Sequence, residues 1–267
     1  MLRLRNDRIA LAVDAHHGAR VVSLIALGRE WLVQGEPATG DVFGGQQATG
    51  WDECFPTVLA CNGKDFGWSR KLRDHGEMWG RPWQVQVGNN WLEAIFEESQ
   101  FSFARRLVLD GKTLIANYSV INKGAERIGY LYSQHLLLAL KPGENISFKG
   151  IGPLSSSQVE PFTWPDARFT PVKSIKVAEA TKLYARRSGQ PKASVLTPQG
   201  SLTLSWDDLD LGLWLNYGGW PSDAPVHQVA IEPTSAPFDG LSRDSASWLK
   251  PGEKAGWKIT ITVEGAS

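Results

Sequence analysis

Few groups in this chain of 267 residues could move a proton near neutral pH. Five histidines occur, His16, His17, His75, His135 and His227. His16 and His17 fall in a turn before Gly18, where solvation accounts for them. His227 opens the run HQVAIEP without a distinctive neighbour. His135 interrupts YLYSQHLLLAL, an otherwise apolar strand, where a lone histidine is most often a hydrogen-bonded structural residue. His75 sits in LRDHGEMWGRPW (Leu72–Trp83), between Asp74 and Gly76 and close to two tryptophans. Glu232 follows a strongly apolar strand in HQVAIEPTSAPFDGLS. At a rim it is a surface carboxylate; in a cleft, burial raises its pKa toward neutrality and suits it to proton transfer. His75, Glu77 and His135 could also be read as metal ligands. His-x-Glu without a following Pro-Cys-x-x-Cys is a weak signal, however, and Cys54 and Cys61 lack that spacing. No metal and no cofactor is expected.

Positioning these groups falls to many short segments that alternate with period two. RIALAV (8–13) and RVVSLIAL (20–27) flank the turn DAHHGA, and WQVQVG and WLEAIFEES follow the His75 segment. FSFARRLVLDGKTLIANYSVINKG reads as two strands joined at Asp110-Gly111, residues that tolerate positive φ. SLTLSW, LGLWLNY, HQVAIEP and GWKITITVE complete the set. The one candidate helix is KVAEATKLYARR, Lys176–Arg187. Glycine (27) and proline (15) punctuate the remainder, with no repeat, linker or charge block. The expected fold is all-β, a large antiparallel β-sandwich in a single domain over residues 1–267, with function in its loops or on a concave sheet face.

Composition narrows the class of partner. Twenty-eight basic residues balance 28 acidic ones, which argues against nucleic acid and an anionic membrane surface. No apolar run reaches the roughly 20 residues needed to span a bilayer, and MLRLRNDRIALAV lacks the apolar stretch of a signal peptide. A soluble, cytoplasmic protein, monomeric or weakly dimeric, is expected. Cys54 and Cys61 read as free thiols rather than a disulfide framework. Twelve tryptophans are many for this length. Half suit the space between two sheets, and the others offer flat faces on which the C–H side of a sugar ring stacks. Trp51, Trp68, Trp79 and Trp220 are the candidates for a cleft wall from their loop positions.

Four segments in chain order then carry a resemblance. LRDHGEMWGRPW, SQHLLLAL, VAIEPTSAPFDGL and WLKPGEKAGWKITITVE are similar to segments of the aldose 1-epimerase, or galactose mutarotase-like, family. The likeness is nearest its hexose-6-phosphate-epimerase-like branch. The opening RIALAVDAHHGARVVSLIALGREWL resembles that family's first hairpin, so the likeness spans nearly the whole chain. It implies a galactose mutarotase-like supersandwich that interconverts the α and β anomers of a hexose. In that reading Glu232 is the base at the C1 hydroxyl and His135 the acid at the ring oxygen. His75, positioned by Asp74 and Gly76, would hydrogen-bond the same end of the sugar. Asp166, in PFTWPDARF, is the candidate for a further acidic residue of the family pattern.

Two departures bear on the substrate. The phosphate-recognising branch carries arginines where this chain has Ala48 and Trp79, which puts a sugar phosphate in doubt. Arg70, Arg73 and Arg81 are the possible substitutes, Arg81 the chosen one, and Asp52 and Glu53 suggest hydrogen bonds to neutral hydroxyls or a solvated turn. Three alternatives stay open. One is a carbohydrate-binding protein without catalysis. Another is a glycosidase or polysaccharide lyase using Asp166 and Glu232 as paired carboxylates roughly 5–10 Å apart. The third is the metal enzyme above.

Overall fold

The computed structural model describes residues 1–35, 43 and 48–266. Alternation decides its strands. In Phe101–Asp110 and Thr113–Asn122 nearly every second residue is buried, and the two pair over their whole length. Their turn falls on Gly111-Lys112, one residue past the expected Asp110-Gly111, because Asp110 pairs with Thr113 and Gly111 takes the positive φ of 54°.

Nineteen strands among the described residues form two large antiparallel sheets and one small pair. The first sheet runs Leu2–Arg5, Ile9–Asp14, Arg20–Ala26, Trp51–Cys54, Ser133–Leu138, His227–Thr234, Asp210–Tyr217, Glu179–Ala185, with Arg29–Glu30 beside the third. The second runs Asn145–Ile151, Arg187–Thr197, Gly200–Trp206, Lys254–Gly265, Thr113–Asn122, Phe101–Asp110, Trp91–Glu97, Gln84–Val87. Ile128–Tyr130 and Ser247–Leu249 form the small pair. The fold is thus an all-β antiparallel sandwich, as its alternating pattern requires. No helix among the described residues is long and apolar enough to cross a membrane.

The helix expected over Lys176–Arg187 does not form. A single 3-10 turn, Ile175–Val177, precedes the strand Glu179–Ala185, which pairs along its length with Asp210–Tyr217. Leu183 and Ala185 turn into the core on alternate positions, a period-two demand that overrides the weak helical propensity of this segment.

Residues of both sheets share one apolar core. Six of the twelve tryptophans, Trp31, Trp51, Trp68, Trp79, Trp83 and Trp206, are buried. A polar knot also crosses the core. Glu53 Oε1 accepts from Trp51 Nε1 at 2.9 Å, Arg105 at 2.9 Å and Tyr118 OH at 3.0 Å, and Oε2 accepts from Tyr132 OH at 2.8 Å. Glu53 is therefore neither a sugar ligand nor part of a solvated turn: alternation in Trp51–Cys54 turns it inward. Burial pushes its carboxyl up, against the opposing pull of Arg105 and three hydroxyl and guanidinium hydrogen bonds.

Candidate active site

The same alternation gives the first sheet a second, outward face. Trp51, Leu136, Ile231 and Leu213 point into the sandwich, so their neighbours Asp52, His135, Glu232 and Trp214 point away from it. Register then groups them: His135 lies opposite Asp52, Gly212 opposite Glu232, and Lys182 opposite Trp214. These side chains line a cleft of about 320 Å³, within the ~300–1,000 Å³ of small-molecule sites.

At its floor His135 Nε2 stands 3.8 Å from Glu232 Oε2, and His135 Nδ1 stands 3.7 Å from Asp52 Oδ1. Burial, aided by the nearby His75, holds the His135 imidazole down to about 3, so it is neutral at ordinary pH. Glu232 moves the opposite way. Burial raises its carboxyl to about 7, although the ammonium of Lys182 is bonded to it. Lys182 fails to hold Glu232 down because desolvation outweighs the ion pair, and because Asp239 Oδ1, 3.6 Å from the same nitrogen, adds a like charge. Lys182 itself, disfavoured as a cation by burial, is kept charged above its usual range by Glu232 and Asp239. Gly212 leaves room for the pair: a Cβ there would lie 3.0 Å from Glu232 Oε2.

His75 reaches the cleft from the loop that closes the sandwich end. Its backbone N–H donates to Val58 O at 2.6 Å, Glu77 N–H donates to Phe55 O at 2.7 Å, and Gly76 bridges to Phe55 between them. Gly76 has φ +77°, and a Cβ there would collide with the Phe55 carbonyl. Asp74 Oδ1 accepts from His75 Nδ1 at 2.9 Å, leaving Nε2 toward the cleft. Phe43 stacks on the imidazole with centroids 3.6 Å apart, and the His135 ring meets it edge-on at 5.0 Å. Gly76→Ala is expected to displace His75 and to lower stability by more than about 1 kcal/mol from the backbone alone. Urea denaturation measures this, and an unchanged midpoint would contradict the close approach.

Asp74, Asp52 and Trp220 line the cleft, Trp220 meeting Trp214 edge-on at 6.1 Å to form an aromatic wall. Asp52 Oδ2 accepts from Trp79 Nε1 at 2.7 Å and from Arg20 at 3.2 Å. Trp79 itself is buried beneath the site and supports it through Asp52 rather than facing a ligand. Trp51 and Trp68 are core residues, Trp51 donating to Glu53 and Trp68 to Gly129 O. Trp51 is buried because it opens a strand and points into the sandwich, Trp68 because its loop packs against the core.

Asp166 is not in the cleft. Arg168 clamps both its oxygens, at 3.0 and 2.8 Å, and holds its carboxyl well below the usual range. Arg81 is also elsewhere: it pairs with Glu98 and lies over Phe96. Arg70 pairs with Glu98 and Glu77, and Arg73 donates to the carbonyls of Gly76, Glu77 and Trp79. Glu77 accepts from Arg73 N at 3.1 Å. It is bound up in this cluster and does not join His75 and His135. Lys182, Asp239 and Trp214 are cleft residues missed in the sequence. Alternation within Thr181–Ala185 marks Lys182 as outward-facing; nothing comparable marks Asp239, which sits in a turn. Cys54 and Cys61 are free thiols.

No family model and no curated protein matches the chain. Solved structures do match over nearly its full length. The Slr1438 protein from Synechocystis sp. PCC 6803 superposes with TM-score 0.78 at 18% identity, covering 99% of this chain and 96% of that one. A galactose mutarotase related enzyme from Lactobacillus acidophilus gives TM-score 0.71 at 17% identity, over 99% and 97% of the two chains. A galactose mutarotase-like protein from Lactobacillus casei ATCC 334 gives TM-score 0.73 at 13% identity, over 99% and 100%. The chain has the galactose mutarotase-like fold.

Proposed function

We propose that the chain is an aldose 1-epimerase-like isomerase, interconverting the α and β anomers of a hexose or related aldose by acid–base ring opening and closure. One observation carries this reading: Glu232 and His135 meet at 3.8 Å on the floor of a cleft walled by Trp214 and Trp220. Ring opening takes a proton from the C1 hydroxyl, gives one to the ring oxygen and breaks the bond between C1 and that oxygen. The aldehyde turns about C1–C2, and closure on its other face reverses each step. Both oxygens are borne by one carbon, so the groups serving them must be neighbours. Glu232 takes the hydroxyl proton, His135 supplies the ring oxygen, and His75, held by Asp74, hydrogen-bonds the same end of the sugar.

The working pair carries one proton. Before opening it rides on His135; after opening the carboxyl of Glu232 holds it and the imidazole is neutral. Burial favours the second arrangement, since it depresses His135 to about 3 and lifts Glu232 to about 7. The reactive arrangement, with the proton on His135, is therefore the minor form of the singly protonated pair, and opening draws on that minor form. Each placed proton transfer contributes roughly 10²–10⁴-fold.

A pH profile follows. The singly protonated pair exists between the His135 value of about 3 and the Glu232 value of about 7. Turnover is expected to level off below neutrality and to fall about tenfold per pH unit above the upper limb. Lys182 favours the charged carboxylate, so Lys182→Met should move that limb to higher pH and Lys182→Arg should restore it. Polarimetry of freshly dissolved α-glucose or α-galactose against pH tests both; a limb that stays in place in Lys182→Met contradicts the assignment.

The described lining residues also favour an uncharged sugar. Asp52, Asp74, Glu232 and Asp239 line the cleft with Lys182, whose charge Glu232 and Asp239 already match. Arg70, Arg73 and Arg81 are engaged with Glu77, Glu98 and backbone carbonyls. A phosphate dianion would meet carboxylates rather than a guanidinium fork.

A further inference from the structure

We propose that Cys54, His75 and His135 form a binding site for a borderline-soft divalent transition ion such as Zn2+, and that occupancy of this site switches the cleft off. The switching half rests on the function proposed above; the binding half does not.

The three side chains each offer a ligand atom, and these atoms all lie within 4.8 Å of one another. Cys54 Sγ is 3.6 Å from His135 Nδ1 and 3.7 Å from Nε2. A tetrahedral zinc with bonds of about 2.3 Å to sulfur and about 2.0–2.1 Å to nitrogen needs a sulfur–nitrogen edge of about 3.6 Å. The Cys54–His135 edge already has that length, and a turn of the His135 ring aims one nitrogen at the ion. His75 supplies the third corner, its ring centroid 5.0 Å from that of His135.

The outer contacts fit as well. Metal-bound histidines usually donate their other ring N–H to a carboxylate, which fixes the tautomer. His75 Nδ1 is bonded to Asp74 at 2.9 Å, leaving Nε2 for the ion. His135 Nδ1 lies 3.7 Å from Asp52 Oδ1, a buried oxygen without a hydrogen-bond partner among the described residues. A ring turn that places Nε2 on the metal brings Nδ1–H toward that oxygen. Thiolate and imidazole together select zinc-like ions over calcium or magnesium.

Binding replaces the Cys54 thiol proton by the ion, one proton being released per metal. Because the ligand is the thiolate, binding strengthens as pH rises. Metal on His135 and His75 removes the two imidazoles from the sugar.

The test is titration of reduced, metal-free protein with Co2+, followed by displacement with Zn2+. One cobalt per chain is expected, with tetrahedral visible bands and a thiolate-to-cobalt band in the near ultraviolet. Cys54→Ser should lose the thiolate band and weaken zinc by at least about a hundredfold, while Cys61→Ser keeps both. Asp74→Asn, a half-exposed change that spares the core, should weaken zinc by about 10–100-fold. A thiolate band that survives in Cys54→Ser or vanishes in Cys61→Ser would overturn the proposal, as would unchanged zinc affinity in Asp74→Asn. Zn2+ should slow anomer interconversion by the parent chain and slow Cys54→Ser far less, each relative to its own metal-free rate. Metal binding as described in a chain that does not accelerate anomer exchange would defeat the function proposed above and leave the site standing. Accelerated exchange with no thiolate–metal band would do the reverse.

Discussion

Glu232→Gln is expected to lower anomer interconversion by about 10²–10⁴-fold, the contribution of a placed proton-transfer group, while leaving the chain folded. Glutamine has the same shape, can still accept a hydrogen bond from Lys182, and fits the space left by Gly212. Asp239 stays 3.6 Å from the Lys182 ammonium, which therefore keeps a charged partner when the Glu232 carboxylate is lost. What disappears is the capacity to hold the proton of the C1 hydroxyl. His135→Asn should act similarly, whereas His75→Asn should weaken sugar affinity along with the rate. Exchange rates paired with thermal unfolding separate chemistry from folding. Activity within about threefold of the parent in Glu232→Gln would remove Glu232 from the mechanism.

The second large effect lies one layer below. Arg105→Met is expected to cost about 3–5 kcal/mol, because it leaves Glu53 as an unpaired charge in the core. Both partners are fully buried and 2.9 Å apart. Against a total stability of about 5–15 kcal/mol this is a large share. The double variant Arg105→Met/Glu53→Gln should recover part of the loss, since a neutral amide still accepts from Trp51, Tyr118 and Tyr132. The consequence reaches the cleft through the strand itself: Glu53 stands between Asp52 and Cys54, which face the other way. Denaturant unfolding measures both variants; a loss under about 1 kcal/mol in Arg105→Met would show that the knot does not brace this strand.

That strand also shows where sequence reading ends. Trp51–Cys54, WDEC, has no alternation of apolar and polar residues, because a charged residue is buried on each of its faces. Asp52 serves the cleft and Glu53 the core, and both look alike in a list of residues. The long hairpin Phe101–Asn122 was legible for the opposite reason: its buried face is apolar at every position but Arg105 and Asn122, so its hydrophobic pattern and its burial largely coincide. His75, His135 and Glu232 stood out because each interrupts a local pattern, a polar group in an apolar strand or a histidine held between an acid and a glycine. Lys182 was hidden by the helical look of Lys176–Arg187, a segment whose state is decided by pairing with Asp210–Tyr217. Asp166 was the acidic candidate in the sequence, and only the chain path shows that Arg168 holds it while the cleft holds Asp239 instead. The tryptophans failed as cleft markers wherever a loop was taken to be exposed; Trp220 alone of the four candidates lines the cleft.

The central claim is that Glu232 and His135 exchange protons with the two oxygens of an anomeric carbon. Magnetisation-exchange NMR on equilibrated free, phosphorylated and sulfonated hexoses tests it most directly, since it reads interconversion at C1 without any net change in composition. Enzyme-dependent exchange between the α and β signals of an unphosphorylated hexose is expected, slowing as pH rises through about 7, with no new product. Binding of a hexose seen by thermal shift, with exchange no faster than in buffer for every sugar in the panel, would contradict it.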